Sequence, residues 1–230
     1  MMIAEPKKNA ASSFVVWISL LSIMQCASAK PFDWNGWYGG IAGGKGVGRV
    51  EQDDTTPFLS GPYNAGGGLL GATLGYNWKK GNVVPGIEGD FSYARIGGST
   101  IGTNPYYGNC GASYCASEIR AIGTLRGRLG YEWNDILPYI TAGVAYADVH
   151  GEEGTGGPGA FGSGSTWMTG WTVGAGIEGR LTSSWTFKGE YLYVDLGSKS
   201  VFTDNIGGTY YIEGLSVRSQ IFRLGLNYHF

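Results

Sequence analysis

Six acids and six bases recur at alternate positions in short segments of this 230-residue chain: Glu88, Asp90, Glu118, Glu132, Glu178 and Glu190 against Arg120, Arg126, Arg128, Arg180, Lys188 and Arg223. Two carboxylates close together, such as Glu88 and Asp90, are what general acid and base work requires. These carboxylates are spread over many segments, share no cleft and have no nucleophile partner, so hydrolase chemistry is set aside and no catalytic residue is assigned. The balance of signs points instead to ion pairing.

The element that positions such charges is a strand. In residues 218–230 (RSQIFRLGLNYHF) the even positions Phe222, Leu224, Leu226, Tyr228 and Phe230 are large and apolar. The odd positions Ile221, Arg223, Gly225, Asn227 and His229 are mostly polar or small. Period-two alternation gives a strand two different environments. Residues 118–133 carry the strongest such signal, with Leu125, Gly127, Leu129 and Tyr131 against Thr124, Arg126, Arg128 and Glu132. The same reading places strands at 34–50, 70–78, 83–93, 136–148, 167–180 and 185–193, which makes eight.

The connections alternate in length. Residues 51–63, 96–117, 150–165 and 197–217 read as long loops, while 79–82, 134–135 and 182–184 read as tight turns. Long loops on one side and short turns on the other are the layout of an outer-membrane barrel, and Trp78, Trp133 and Trp185 flank the short turns where an interfacial aromatic belt belongs. The expected fold is therefore all-β: an eight-stranded antiparallel up-and-down transmembrane β-barrel. Such a lumen is wide enough only for side chains. Unpaired charge inside it is costly, so the twelve residues are read as inward-facing ion pairs that form a plug rather than a pore.

Composition agrees. Charged residues make up 15% of the chain, against about 25% in ordinary soluble domains. The 42 glycines have no collagen period, and 14% aromatic content argues against disorder. Lys7 and Lys8, the apolar run 14–24 and Ala27-Ser28-Ala29 read as a signal peptide cleaved after residue 29, leaving residues 30–230 as the barrel domain. Cys26 raises a lipoprotein reading, but Met24 and Gln25 before it are too bulky for that signal. The mature net charge of about −3 offers nothing to nucleic acid.

Other signals are weaker. Residues 39–45 (GGIAGGK) match the start of a phosphate-binding loop, but Gly46 follows the lysine and no helix does. Cys110 and Cys115 stand five apart in one external loop, where a disulfide is favoured over a metal site. No metal ligand set is assigned. His229 reads as an ordinary hydrogen-bonded histidine. Tyr106, Tyr107, Tyr114, Phe161, Tyr210 and Tyr211 are loop aromatics that could meet a flat ligand or a host surface.

The chain resembles the small eight-stranded outer-membrane barrels of Alphaproteobacteria, a family of major surface antigens and haemin-binding proteins. The residues that carry the resemblance are WNGWYGG at 34–40, GTLRGRLGYEW at 123–133, LPYITAGVAYA at 137–147, the segment 170–197 and the RLGLNYHF end. The resemblance implies outer-membrane localisation among lipid and lipopolysaccharide. It also implies insertion by the barrel-assembly machinery, which reads a terminal aromatic strand, here Tyr228 and Phe230. The expected function is envelope structure and surface presentation without enzymatic activity and without a cofactor. Two alternatives stay open: a haemin-binding surface receptor using His150 as axial ligand with loop tyrosines, and a narrow porin-like channel.

Overall fold

The computed structural model describes residues 32–54, 63–101, 113–155, 160–206 and 209–230. The expected signal peptide, residues 1–29, lies outside them. Eight strands follow in order: β1 (Gly36–Asp54), β2 (Tyr63–Asn77), β3 (Val83–Ile101), β4 (Ser113–Tyr131), β5 (Ile136–Thr155), β6 (Ala160–Arg180), β7 (Trp185–Ile206) and β8 (Thr209–His229). Each pairs antiparallel with the next and β8 pairs back onto β1, so the sheet is a closed barrel.

The register sets its geometry. Cross-strand partners lead from Tyr38 to Gly75, Glu88, Arg126, Gly143, Thr172, Val194 and Ser219 in turn, and Ser219 pairs with Gly48. One circuit therefore climbs ten residues along β1, from 38 to 48. A stagger of that size tilts the strands by about 40° to the axis.

The strands are longer than the alternation suggested. β5 has 20 residues, which at about 3.3 Å each and this tilt rise roughly 50 Å, twice the apolar band of about 25 Å. The stretches expected as loops at 96–117, 150–165 and 197–217 are therefore ladder at both ends, in the residues the structure describes: β3 runs on to Ile101, β5 to Thr155 and β7 to Ile206. Above the lipid nothing demands an apolar outward face, so the pattern fades while backbone pairing continues.

Two aromatic rings mark the band. At the short-turn end Trp37, Trp78, Trp133, Trp185 and Tyr228 face outward, with Trp185 edge-on to Tyr228 at 5.2 Å. At the other end Tyr93, Tyr146, Trp167, Trp171 and Tyr193 do so, with Tyr146 stacked on Trp167 at 4.6 Å. Between them lie Ile41, Leu70, Phe91, Leu125, Ile140, Val173 and Leu224, all exposed. The turns are tight: Lys80 bridges to Val83 with Gly81 at φ 63°, and Trp133 bridges to Ile136 with Asn134 at φ 55°.

Candidate functional site

Inward residues of four strands, β3, β4, β7 and β8, meet near the middle of the barrel with a fifth, β6. Adjacent carboxylates Glu88 and Asp90 project from β3, Arg126 and Arg128 from β4, Glu178 from β6, Lys188 and Glu190 from β7, and Arg223 from β8. Arg126 pairs with Glu88 through Nη2, which also donates to Asp90 at 3.0 Å, while its Nη1 donates to Glu190 at 3.0 Å. Arg223 clamps Asp90 through both terminal nitrogens, at 2.9 and 3.0 Å, and donates from Nε to Glu190 at 2.5 Å. Lys188 donates to Glu88 at 3.0 Å, and Arg128 pairs with Glu178. Four acids and four bases thus neutralise one another.

Uncharged neighbours complete the network. Tyr38 donates to Glu88 at 2.8 Å and receives a 3.3 Å hydrogen bond from Arg128. Tyr139 donates to Glu190 at 3.2 Å while the Arg128 guanidinium lies 3.7 Å above its ring centre, close enough for a cation–π contact. Thr124 donates to Asp90 at 2.5 Å, and Thr186 and Asn227 donate to Glu178 at 2.5 and 2.8 Å. Sequence reasoning did not assign these residues to the network. The available signal was parity, since Asn227 alternates in step with Arg223, and Tyr139 out of step with lipid-facing Ile140.

Apolar layers close the lumen above and below. Toward the outer end, Leu69, Ile96, Ile119, Ile122, Val149 and Met168 belong to one buried cluster. Toward the short turns, Trp34, Val84 and Leu137 form a second with Phe32 against it, and His229 stacks on Tyr38 at 5.3 Å. Glu88, Glu178 and Lys188 have no solvent exposure. Carboxylates so enclosed, each accepting from more than one donor, are placed to lock a structure.

Four of the twelve expected lumen charges stand elsewhere. Register shifts between Ile119 and Ala121, where Arg120 is the extra residue against β5. A bulge changes which face a strand's residues take, so Ile119 and Ile122 both point inward. Glu118 and Arg120 are left partly exposed and paired with each other at 3.7 Å. Glu132 and Arg180 lie at the short-turn end, where Glu132 pairs with Lys79 at 2.7 Å and Arg180 with Asp135 at 2.6 Å. A single phase run through the whole segment cannot register a bulge or a strand end.

His150 is not in a loop: it is on β5, with Nδ1 2.9 Å from Ser165 Oγ and Nε2 3.1 Å from Glu152 Oε1. Both of its ring nitrogens thus have side-chain partners. His229 Nε2 lies 3.4 Å from Thr186 Oγ1. Tyr106, Tyr107 and Cys110 lie outside the described residues, as do the side chains of Tyr114, Cys115, Phe161, Tyr210 and Tyr211. Phe230 is 80% exposed, edge-on to Tyr228 at 5.3 Å.

Known proteins agree with this architecture. The family model described as outer membrane protein beta-barrel domain matches residues 14–230. The chain is 33% identical over 237 residues to the 31 kDa outer-membrane immunogenic protein of Brucella melitensis, covering 94% of this chain and 91% of that one. It is 35% identical over 182 residues to the 22 kDa outer membrane protein of Rhizobium leguminosarum bv. viciae, covering 79% and 74%. The crystal structure of the outer membrane protein OprG from Pseudomonas aeruginosa superposes with a TM-score of 0.52 at 13% identity, covering 85% of this chain and 96% of that one, a likeness of fold alone. The closed eight-stranded barrel, its two aromatic rings and these relatives together make this chain an outer-membrane protein of the β-barrel domain family that includes the immunogenic outer-membrane proteins of Brucella.

Proposed function

We propose that the protein is a non-enzymatic, non-conducting element of the outer membrane that presents its long strand tips and connections at the cell surface. The observation that carries this reading is the lumen, where mutually paired ionic residues sit between two buried apolar clusters, which supports a barrel without a continuous polar path. A porin-like channel requires such a path. In planar bilayers the reconstituted barrel should give conductance at background, and discrete channel openings would overturn the reading. Surface presentation is tested by inserting an epitope tag within residues 102–112. Antibody labelling of intact cells is expected, and labelling only after permeabilisation would reverse the assigned orientation. The barrel should also migrate faster on a gel before heating than after it.

A further inference from the structure

We propose that the outward face of β8, β1, β2 and β3, at the height of the outer aromatic ring, binds the phosphate of a phosphorylated glycolipid in the outer leaflet, with Arg49 and Arg218 as its principal ligands. The register puts two rows of residues there. Asp195, Arg218, Arg49 and Asn64 are successive cross-strand partners, and Lys45, Gly68 and Arg95 form a second row four residues lower on β1. All four bases point away from the lumen and are exposed. Arg49 and Arg218 are directly opposed, a like-charge arrangement that destabilises a sheet unless an anion offsets it. Asp195 takes Arg218 at 3.2 Å, and Arg95 donates to Tyr93 at 3.1 Å. Among the residues whose side chains the structure describes, a set that leaves out Glu51 and Asp53 at the end of β1, Asp195 is the one outward acid in this sector, set against four bases, and neither Arg49 nor Lys45 has an ion-pair partner. The sector on β4 and β5 at the same height is acidic instead, with Glu118, Asp148 and Glu152 around Arg120.

The position argues for a lipid phosphate. Arg95 lies two residues beyond Tyr93, and Arg218 two beyond Gln220, the partner of Tyr193, so the bases stand where the apolar band ends. That end is opposite the short turns and is the external one in barrels of this class. Val47, Arg49, Asn64, Tyr193, Arg218 and Gln220 line a groove of about 590 Å³. Guanidinium forks suit phosphate oxygens, and the Asn64 amide can supply another donor. Below the groove Ile41, Leu70 and Phe222 are exposed to lipid and can receive acyl chains joined to the bound phosphate, which a free anion does not offer.

The test embeds the purified barrel in phosphatidylcholine nanodiscs containing lipid A or dephosphorylated lipid A and counts retained lipid by native mass spectrometry. Lipid A should be retained, the dephosphorylated form about ten-fold less, and an Arg49→Gln, Arg218→Gln double variant should retain lipid A about ten-fold less, as expected for losing charge-assisted hydrogen bonds. Arg120→Gln, in the acidic sector, should leave retention unchanged. Equal retention of the two lipids by the intact protein, or undiminished retention by a correctly folded double variant, would overturn the proposal. Displacement by an equal concentration of inorganic phosphate would assign the groove to a free anion and overturn the lipid assignment. If the double variant fails to insert, the comparison of the two lipids on the unaltered protein decides the matter.

Discussion

Tyr38 and Gly75 are directly opposed partners in the β1–β2 ladder, and the tyrosine ring lies over the glycine so closely that a Cβ there would sit 2.3 Å from Tyr38 Cζ. The missing side chain lets Tyr38 reach Glu88 and close the lower edge of the ionic cluster. Tyr139 covers Gly176 in the same manner, at 2.5 Å. Gly75→Ala should therefore displace Tyr38 and destabilise the barrel by about 1–3 kcal/mol, the usual cost of overpacking. Urea unfolding followed by tryptophan fluorescence measures this, and a midpoint unchanged from the parent would show that the ring has room to move.

Arg126→Met removes one partner from a fully buried network and leaves Glu88, Asp90 and Glu190 each short of a cation. The expected loss is about 3–5 kcal/mol, as for other broken buried pairs. Arg180→Ala breaks a partly exposed pair with Asp135, and its loss should stay under about 1 kcal/mol. Comparable losses in the two variants would contradict the assignment of Arg126 alone to the sealed cluster.

Phe230→Ser should lower the amount of protein inserted in the outer membrane more than it lowers the stability of barrels already inserted. The Phe230 N–H donates to the Trp37 carbonyl at 3.1 Å whatever the side chain, while the exposed ring has few structural duties. Quantifying membrane-fraction barrel alongside the heating midpoint of its fast-migrating form separates the two effects. A lowered midpoint with normal insertion would make the ring structural.

His150→Ala should leave any absorbance change on adding haemin the same as in the parent, because both imidazole nitrogens are engaged by Ser165 and Glu152. A Soret change present in the parent and lost in the variant would restore His150 as a haem ligand.

Much of the barrel was legible in residues such as Leu125, Gly127 and Leu129 against Thr124, Arg126 and Arg128, because side-chain direction along a strand depends only on the local backbone. Lipid makes one face apolar wherever the strand crosses it, so eight segments and the outward faces of most of them could be read directly. Beyond the aromatic rings that requirement ends, and the extension of β5 past Asp148 left no pattern to read.

The candidate site was legible in part. Glu88, Asp90, Arg126, Arg128, Glu178, Lys188, Glu190 and Arg223 share the inward parity that alternation predicts, and they meet in the lumen. Glu118 and Arg120 do not, because the bulge beside them breaks the phase, and the apolar layer of Ile96, Ile119 and Met168 carries the same hydrophobic signature as a lipid-facing residue.

By itself, then, the sequence determined strand number, the alternation of faces and the aromatic belt at the short turns, all of which are set by local backbone geometry and by the solvent each segment crosses. The tertiary structure alone decided which charges meet, and the ten-residue stagger is the physical reason. It brings Arg126 of β4 beside Glu190 of β7, 64 residues later, and leaves Arg49 facing Arg218 on the outside. No local pattern contains the stagger, since it exists only once β8 has closed on β1.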